Sequence, residues 1–276
     1  MPSGPLHFGS IIAALGSYLQ ARSQQGSWLV RIEDLDHPLV KPEAADSILR
    51  DLDRLGLHWD ESPVYQSQRI DRYEAVLAAL ETAGHTFPCG GSRTERKGIY
   101  HDTSRGGLQA GRQPRSIRFR TPDGELRFND GLYGTQTAEL RRDVGDFVVR
   151  RADGIVAYQL AVVVDDADAG ITEIVRGVDL IDTTMAQILL QQQLQLPTPD
   201  YLHLPLAVDA NQRKISKQHH APAIADQPAG EVLWQALAFL GQSPADELRQ
   251  AGAGELLTWA ITHWDPNRIP RAKAPA

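Results

Sequence analysis

Thiols are nearly absent. Cys89 is the only cysteine in 276 residues, so no disulfide can close within the chain and no thiolate-rich metal site can be built. Long apolar runs are missing too: the strongest, Ile155 to Val164, contains Tyr158 and Gln159 and is followed by Asp165 and Asp166. It falls well short of the ~20 residues that span a bilayer, so no membrane partner is expected. The apolar stretch Ile11 to Leu19 has no Lys or Arg ahead of it and no small-residue cleavage site behind it. A secretory leader is therefore not expected, and the cytoplasm is the expected location. Positive charge is not in excess either. A net charge of −7 argues against a generic nucleic-acid coat, while leaving room for a local basic face. What remains is an ordinary globular composition, 42% hydrophobic and 23% charged, which excludes disorder, collagen and coiled coil as whole-chain descriptions. The length suits one large domain with an insertion, or two modest ones.

Periodicity gives a coarse map. Ile11, Ile12, Leu15, Leu19 and Ala21 stand at helical spacing after a glycine-containing turn, and helical periodicity recurs over 42–56, 70–84 and 182–194. Trp28 to Ile32 is short, β-rich and bounded by Gly26 and the acidic run Glu33, Asp34, Asp36, as expected of a buried parallel strand that ends at a site. Alternating strand and helix predict an α/β fold with ligands at the strand ends. Residues 85–145 differ in being rich in Gly, Arg and Thr, with short alternating pieces such as Ser116 to Arg120, and read as an insertion. Regular α/β texture returns with Asp146 to Arg150, Ile155 to Val164 and Ile171 to Val175. From residue 229 the text is helical, punctuated by Pro244, Pro266 and Pro270. The expected organisation is a catalytic domain over 1–84 and 146–228, an insertion over 85–145 and a helical region over 229–276.

Two segments carry chemistry together. Pro2-Ser-Gly-Pro-Leu-His-Phe-Gly-Ser10 opens into a helix, placing His7 and the amides of Gly9 and Ser10 at a positive helix end suited to phosphate, with Gly9 able to admit a flat base. Alone, a His-x-Gly ahead of a helix is a turn and a cap. About two hundred residues later, just after the strand-like Leu204 to Val208, stands Arg213-Lys-Ile-Ser-Lys217, whose lysines can neutralise a triphosphate. Alone, that string is a solvated loop.

In this order across an α/β chain, the pair resembles the two signatures of class I aminoacyl-tRNA synthetases. Arg31-Ile-Glu-Asp-Leu-Asp36, Tyr65-Gln-Ser-Gln-Arg69, Tyr158-Gln-Leu-Ala161 with Asp165 and Asp166, and Val175-Arg-Gly177 narrow the resemblance to the glutamyl branch. Only about sixty residues follow Lys217. The chain therefore resembles the short members of that branch, which lack the anticodon-binding region and load glutamate onto queuosine at the wobble position of tRNA(Asp).

The resemblance implies a Rossmann-like catalytic domain, with L-glutamate, ATP with Mg2+, and queuosine-containing tRNA(Asp) as partners, and a monomer is expected. It implies His7 and Lys217 as catalytic residues, with Gly9, Ser10, Lys214 and Ser216 completing the ATP site. For glutamate it implies Ser3, Glu33 as the ammonium acceptor, Tyr158, and Arg176 as the guanidinium that grips a carboxylate. Charge counting agrees, since glutamate presents two carboxylates and one ammonium and each needs a partner once desolvated. The basic insertion offers Arg112, Arg115 and Arg118 to tRNA phosphates.

Two departures stand out. Relatives place a strand ending in Gly-Arg-Phe-Ala-Pro-Ser before Pro2, whereas this sequence starts at Met1-Pro2. A late start, a truncation and a degenerate copy all remain open. Relatives also hold zinc with a Cys-x-Cys pair, a Tyr and another Cys; here Cys89 and Tyr100 match, but Gly91 and Ser104 replace the remaining thiolates. Zinc is therefore not expected, with His101 and Asp102 as the nearby substitutes. Rival readings are a truncated glutamyl-tRNA synthetase, a small-molecule nucleotidyltransferase, and a catalytically impaired tRNA-binding paralogue.

Overall fold

The structure, a computed structural model, describes residues 6–36, 43–91, 103–108, 111, 113–207 and 227–271. In chain order the principal elements are α1 (Phe8–Ser23), β1 (Arg31–Ile32), α2 (Ala44–Arg54), β2 (Val64–Tyr65), α3 (Ile70–Thr82) and β3 (Thr86–Cys89). There follow β4 (Ser116–Phe119), β5 (Glu125–Asp130), β6 (Gly134–Glu139), β7 (Phe147–Arg150), α4 (Tyr158–Asp168) and β8 (Glu173–Gly177). The last are α5 (Ile181–Gln193), β9 (Asp200–Leu204), α6 (Ala229–Phe239) and α7 (Ala253–His263).

The central sheet runs β6-β5-β9-β8. β8 and β9 pair in parallel over five residues, from Glu173 opposite Asp200 to Gly177 opposite Leu204. Successive side chains of a strand point to opposite faces, and on β9 the two faces meet two different cores. Leu202 and Leu204 enter a core with Ile11, Leu15, Leu233 and Leu256, made by α1, α6 and α7. Tyr201 enters the other, with Leu160, Ile188 and Leu189 from α4 and α5. Helices thus cover both faces of a largely parallel sheet, which is the doubly wound α/β arrangement. Gly16 makes the first face close: a Cβ there would lie 2.4 Å from Leu204 Cδ1, so a larger residue would force the Leu204 side chain to shift.

Two segments differ from their sequence expectation. The strand expected at Leu204 to Val208 is instead Asp200–Leu204. Pro205 has no amide to extend the ladder, so the strand stops there. The apolar run from Ile155 splits: Val156 bridges to Arg150, and from Tyr158 onward the chain is helix α4. Within 85–145, β3 and β4 form an antiparallel sheet with β7, whereas the β5-β6 hairpin extends the central sheet, touching β9 in parallel at Asp130 opposite Tyr201.

The sheet is interrupted between β8 and β1. Among the described residues, β1 pairs only with β2, and β8 pairs only with β9. Between them lies a slot of about 690 Å³, walled by Leu29 and Arg31 on one side and Glu173 and Val175 on the other, with Gln20 and Gln24 of α1 beneath. The carbonyls of Trp28 and Val30 accept from Asp60 and Val64, and that of Thr172 accepts from Asp200. Alternation along a strand then turns the main chain of Leu29, Glu173 and Val175 toward the slot. This gap in the sheet is what separates the two-stranded β1-β2 piece from the four-stranded sheet.

Candidate active site

α1 begins where the sequence places a helix end, and His7 caps it. Its backbone is extended, its carbonyl accepts from the Ser10 amide at 2.8 Å, and its ring Nδ1 faces the same amide at 3.3 Å. Nε2 lies 3.1 Å from the Ser10 hydroxyl. Ser10 is therefore already engaged by His7, and an anion at this helix end competes with the imidazole for the Ser10 amide. His7, Gly9 and Ser10 line a cavity of about 180 Å³ closed by Gly177 at the end of β8 and by Pro205 and Ala207 after β9. The cavity sits at the carboxyl ends of two parallel strands, against the helix N-terminus, where phosphate groups are accommodated by geometry and dipole together.

One residue back along β8 is Arg176. Its Nη2 donates to the Thr184 hydroxyl at 2.8 Å, and its Nε to His203 Nε2 at 3.2 Å. Its guanidinium carbon lies 5.5 Å from the centre of the Tyr201 ring. Tyr158 stands at the start of α4. Desolvation and the negative charge of Glu33 raise its phenol, while Arg176 and Arg31 act the other way. Three segments far apart in sequence, the end of β1, the start of α4 and β8, thus place Glu33 and Arg176 each within electrostatic reach of Tyr158.

An acidic cluster on α4 supports the pocket from below. Arg31 pairs with Asp166 and with Glu33 at 3.3 Å, so the ammonium acceptor expected from the sequence is itself held by an arginine. Burial works against the Arg31 charge, but Asp166 and Glu33 outweigh it and keep the guanidinium firmly protonated. Asp165 is the hub beneath: it accepts from Arg69 Nε at 2.7 Å, Gln66 Nε2 at 2.8 Å and the Tyr73 hydroxyl at 2.9 Å.

Several expectations do not meet in the described residues. Ser3, Lys214, Ser216, Lys217, Arg112, Tyr100, His101 and Asp102 lie outside them. Cys89 is buried on β3 opposite Ser116. Arg115 is exposed, but Arg118 is a correction to the expected basic face: it is 6% exposed and donates to the Asp146 carbonyl. Its position on the middle strand of a three-stranded sheet turns it inward, where an RNA phosphate cannot reach it. Sequence reading also missed Asp130, Thr184 and His203, the buried polar groups behind Arg176. The available signal was a histidine between Leu202 and Leu204 in β9.

No helix among the described residues is long and apolar enough to cross a membrane. A family model described as tRNA synthetases class I (E and Q), catalytic domain, matches residues 1–109 and 96–247. A glutamyl-Q tRNA(Asp) synthetase of Thiobacillus denitrificans is 48% identical over 98% of this chain and 92% of its own length. Proteins of the same name from Geobacter sulfurreducens and Pseudomonas aeruginosa are 46% and 47% identical, over 99% and 98% of this chain and 93% of each relative. Among solved structures, a glutamate-tRNA synthetase from Elizabethkingia anophelis superposes with a TM-score of 0.82 at 23% identity, covering 99% of this chain and 66% of that one, and so shares the fold. With the family model and these relatives matched along nearly its whole length, the chain belongs to the glutamyl-Q tRNA(Asp) synthetase branch of the class I (E and Q) tRNA synthetases.

Proposed function

We propose that this chain activates L-glutamate with Mg-ATP and transfers the glutamyl group to the queuosine of tRNA(Asp). The observation that carries the reading is Arg176, which acts on Tyr158 together with Glu33 and stands one residue before Gly177 in the wall of the cavity at the α1 N-terminus. A carboxylate of glutamate attacks the α-phosphorus of ATP in line, forming the mixed anhydride of glutamyl-adenylate and releasing pyrophosphate. A hydroxyl of the queuosine cyclopentene ring then attacks the anhydride carbonyl, forming an ester and releasing AMP.

No covalent bond to the protein is needed in either step, so the residues act by placement and charge. Glu33 receives the substrate ammonium, Arg176 a carboxylate, and the Tyr158 hydroxyl hydrogen-bonds in the same pocket. His7 and the α1 end stabilise the phosphates, joined by Lys217, with Lys214 and Ser216 shaping its loop and Gly9 admitting adenine. Mg2+ arrives with ATP and offsets its charge. Ser3 completes the glutamate set, and Arg112 and Arg115 meet tRNA phosphates. Zinc has no part in this scheme, and metal analysis of the purified protein is expected to give well under one zinc per chain.

The test is labelled glutamate with ATP and three RNAs: queuosine-containing tRNA(Asp), tRNA(Asp) with guanosine at the wobble position, and tRNA(Glu). Label is expected only on the first, within the anticodon loop. Label on the 3′ end of tRNA(Glu) would replace this reading with that of a tRNA(Glu)-charging enzyme. Absence of glutamate-dependent ATP–pyrophosphate exchange would leave a tRNA-binding paralogue.

A further inference from the structure

We propose that Asp130, His203 and Thr184 are positioning residues that lock the Arg176 guanidinium in the orientation that receives glutamate; the role given to Arg176 rests on the function proposed above.

The protons determine the direction of the chain of bonds. An arginine side chain has donors only, so His203 Nε2, at 3.2 Å from Arg176 Nε, accepts and carries no proton. The neutral ring therefore keeps its proton on Nδ1, which donates to Asp130 Oδ2 at 2.6 Å. Asp130 cannot turn away, because its two oxygens also accept the amides of His203 at 3.1 Å, Leu132 at 3.0 Å and Tyr133 at 2.8 Å. Both side chains of the Asp130–His203 pair are fully buried. Thr184 fixes the other end: its hydroxyl accepts from Arg176 Nη2 at 2.8 Å, and its single proton faces both the Leu180 carbonyl and His203 Nε2, each at 3.2 Å.

The guanidinium is thus clamped along its Nε–Nη2 edge, from β9 on one side and the first turn of α5 on the other, over the Tyr201 ring. Tyr201 is itself held by Gln191 at 3.0 Å and lies parallel to the His203 ring. What the clamp leaves available to a ligand is Nη1, which makes no hydrogen bond to the described residues, so a substrate carboxylate meets a group whose rotamers are already restricted. Rigid placement of this kind lowers the entropic cost of binding, and a small displacement at a substrate-holding group commonly costs ten- to a hundredfold. Asp130 comes from the β5-β6 hairpin, whose single parallel bridge to β9 is at this residue. Part of the segment that reads as an insertion therefore sets the geometry of the glutamate pocket.

The experiment pairs two substitutions that separate the Nδ1 side of the ring from its Nε2 side. His203→Gln can present an acceptor near the position of Nε2, and His203→Asn retains only a group near Nδ1. In glutamate-dependent ATP–pyrophosphate exchange, His203→Asn is expected to raise the KM for glutamate ten- to a hundredfold with the KM for ATP within twofold, and His203→Gln is expected to recover most of that loss. Thr184→Val, nearly isosteric, is expected to raise the glutamate KM severalfold and keeps the test available if the His203 variants do not fold. Unchanged glutamate KM in the folded variants, or a parallel rise in both KM values, overturns the proposal. The bonds themselves are read in the unliganded, unsubstituted protein by 15N NMR, independently of any activity. An Nδ1-protonated His203 and a slowly exchanging Arg176 Nε–H are expected; an Nε2-protonated ring overturns the relay. If the unsubstituted protein shows no exchange at all, the functional reading fails and the NMR result alone decides the relay.

Discussion

Removing the Asp165 carboxylate is the sharpest test of how the acidic cluster holds the fold. The residue is 4% exposed and gathers three donors from separate parts of the chain: Gln66 from the turn after β2, Arg69 at the start of α3, and Tyr73 within α3. Tyr73 and Gln66 are themselves 0% and 2% exposed, so in an Asp165→Ala protein neither finds water easily. Each buried donor left without an acceptor costs roughly 1–3 kcal/mol, and breaking a buried charged pair typically costs about 3–5 kcal/mol in total. Arg69 is discounted because its guanidinium also reaches Asp168 at 2.5 Å and keeps that partner. The expected loss is about 3–5 kcal/mol, a large share of the roughly 5–15 kcal/mol that holds a domain together. At ~2–4 °C per kcal/mol for a chain of this order, the Tm falls by about 6–20 °C. Asp165→Asn keeps one acceptor but turns an amide toward donors, so about 1–3 kcal/mol is expected. Urea unfolding followed by circular dichroism, at constant m-value, measures both. A loss below ~1 kcal/mol for Asp165→Ala would mean that the cluster is interchangeable with water, refuting its role as the tie between α3 and α4.

Lys217→Ala is expected to fold as the parent does but to lose about a hundredfold in ATP–pyrophosphate exchange, the usual effect of removing one donor from a developing negative charge; unchanged exchange removes Lys217 from the mechanism. Asp168 is held below its ordinary value of 3.8, first by the bond from Arg72, with burial opposing it and Arg69 adding to it. A depressed folded pKa means that its stabilisation is full above about pH 4 and fades as the pH falls through the folded value, so Asp168→Asn should flatten the acid limb of stability against pH. A limb identical to that of the parent would contradict this. Fusing an extended β-branched segment ahead of Met1 should raise the Tm if a strand can enter the slot between β1 and β8, because that main chain gains partners; an unchanged Tm in both added sequences and scrambled controls would show that the slot does not accept one.

Much of the site is legible in the linear chain because its parts are local. A cap needs a polar residue just ahead of a helix, and His7 stands there; apolar residues at helical spacing mark α1 wherever it folds. Glu33, Tyr158 and Arg176 are recognisable because each sits in a short stretch matching the glutamyl branch, although nothing in those stretches states that they meet. What brings these stretches near one another is α4, whose Asp166 pairs with Arg31 of β1 and whose apolar face packs with Ile174 of β8, and only the folded chain decides that. The same holds for Asp130 and His203, which lie 73 residues apart in the chain and 2.6 Å apart in the fold. Composition gives no hint of that contact, since it follows from a hairpin joining β9 at one residue pair. Arg118 illustrates the opposite limit: its charge is plain in the sequence, yet strand alternation and a place in the middle of a three-stranded sheet turn it inward. Sequence determines which chemistry is present and where helices and strands begin; pairing register, a property of residues far apart, decides which of those groups face one another and which face water.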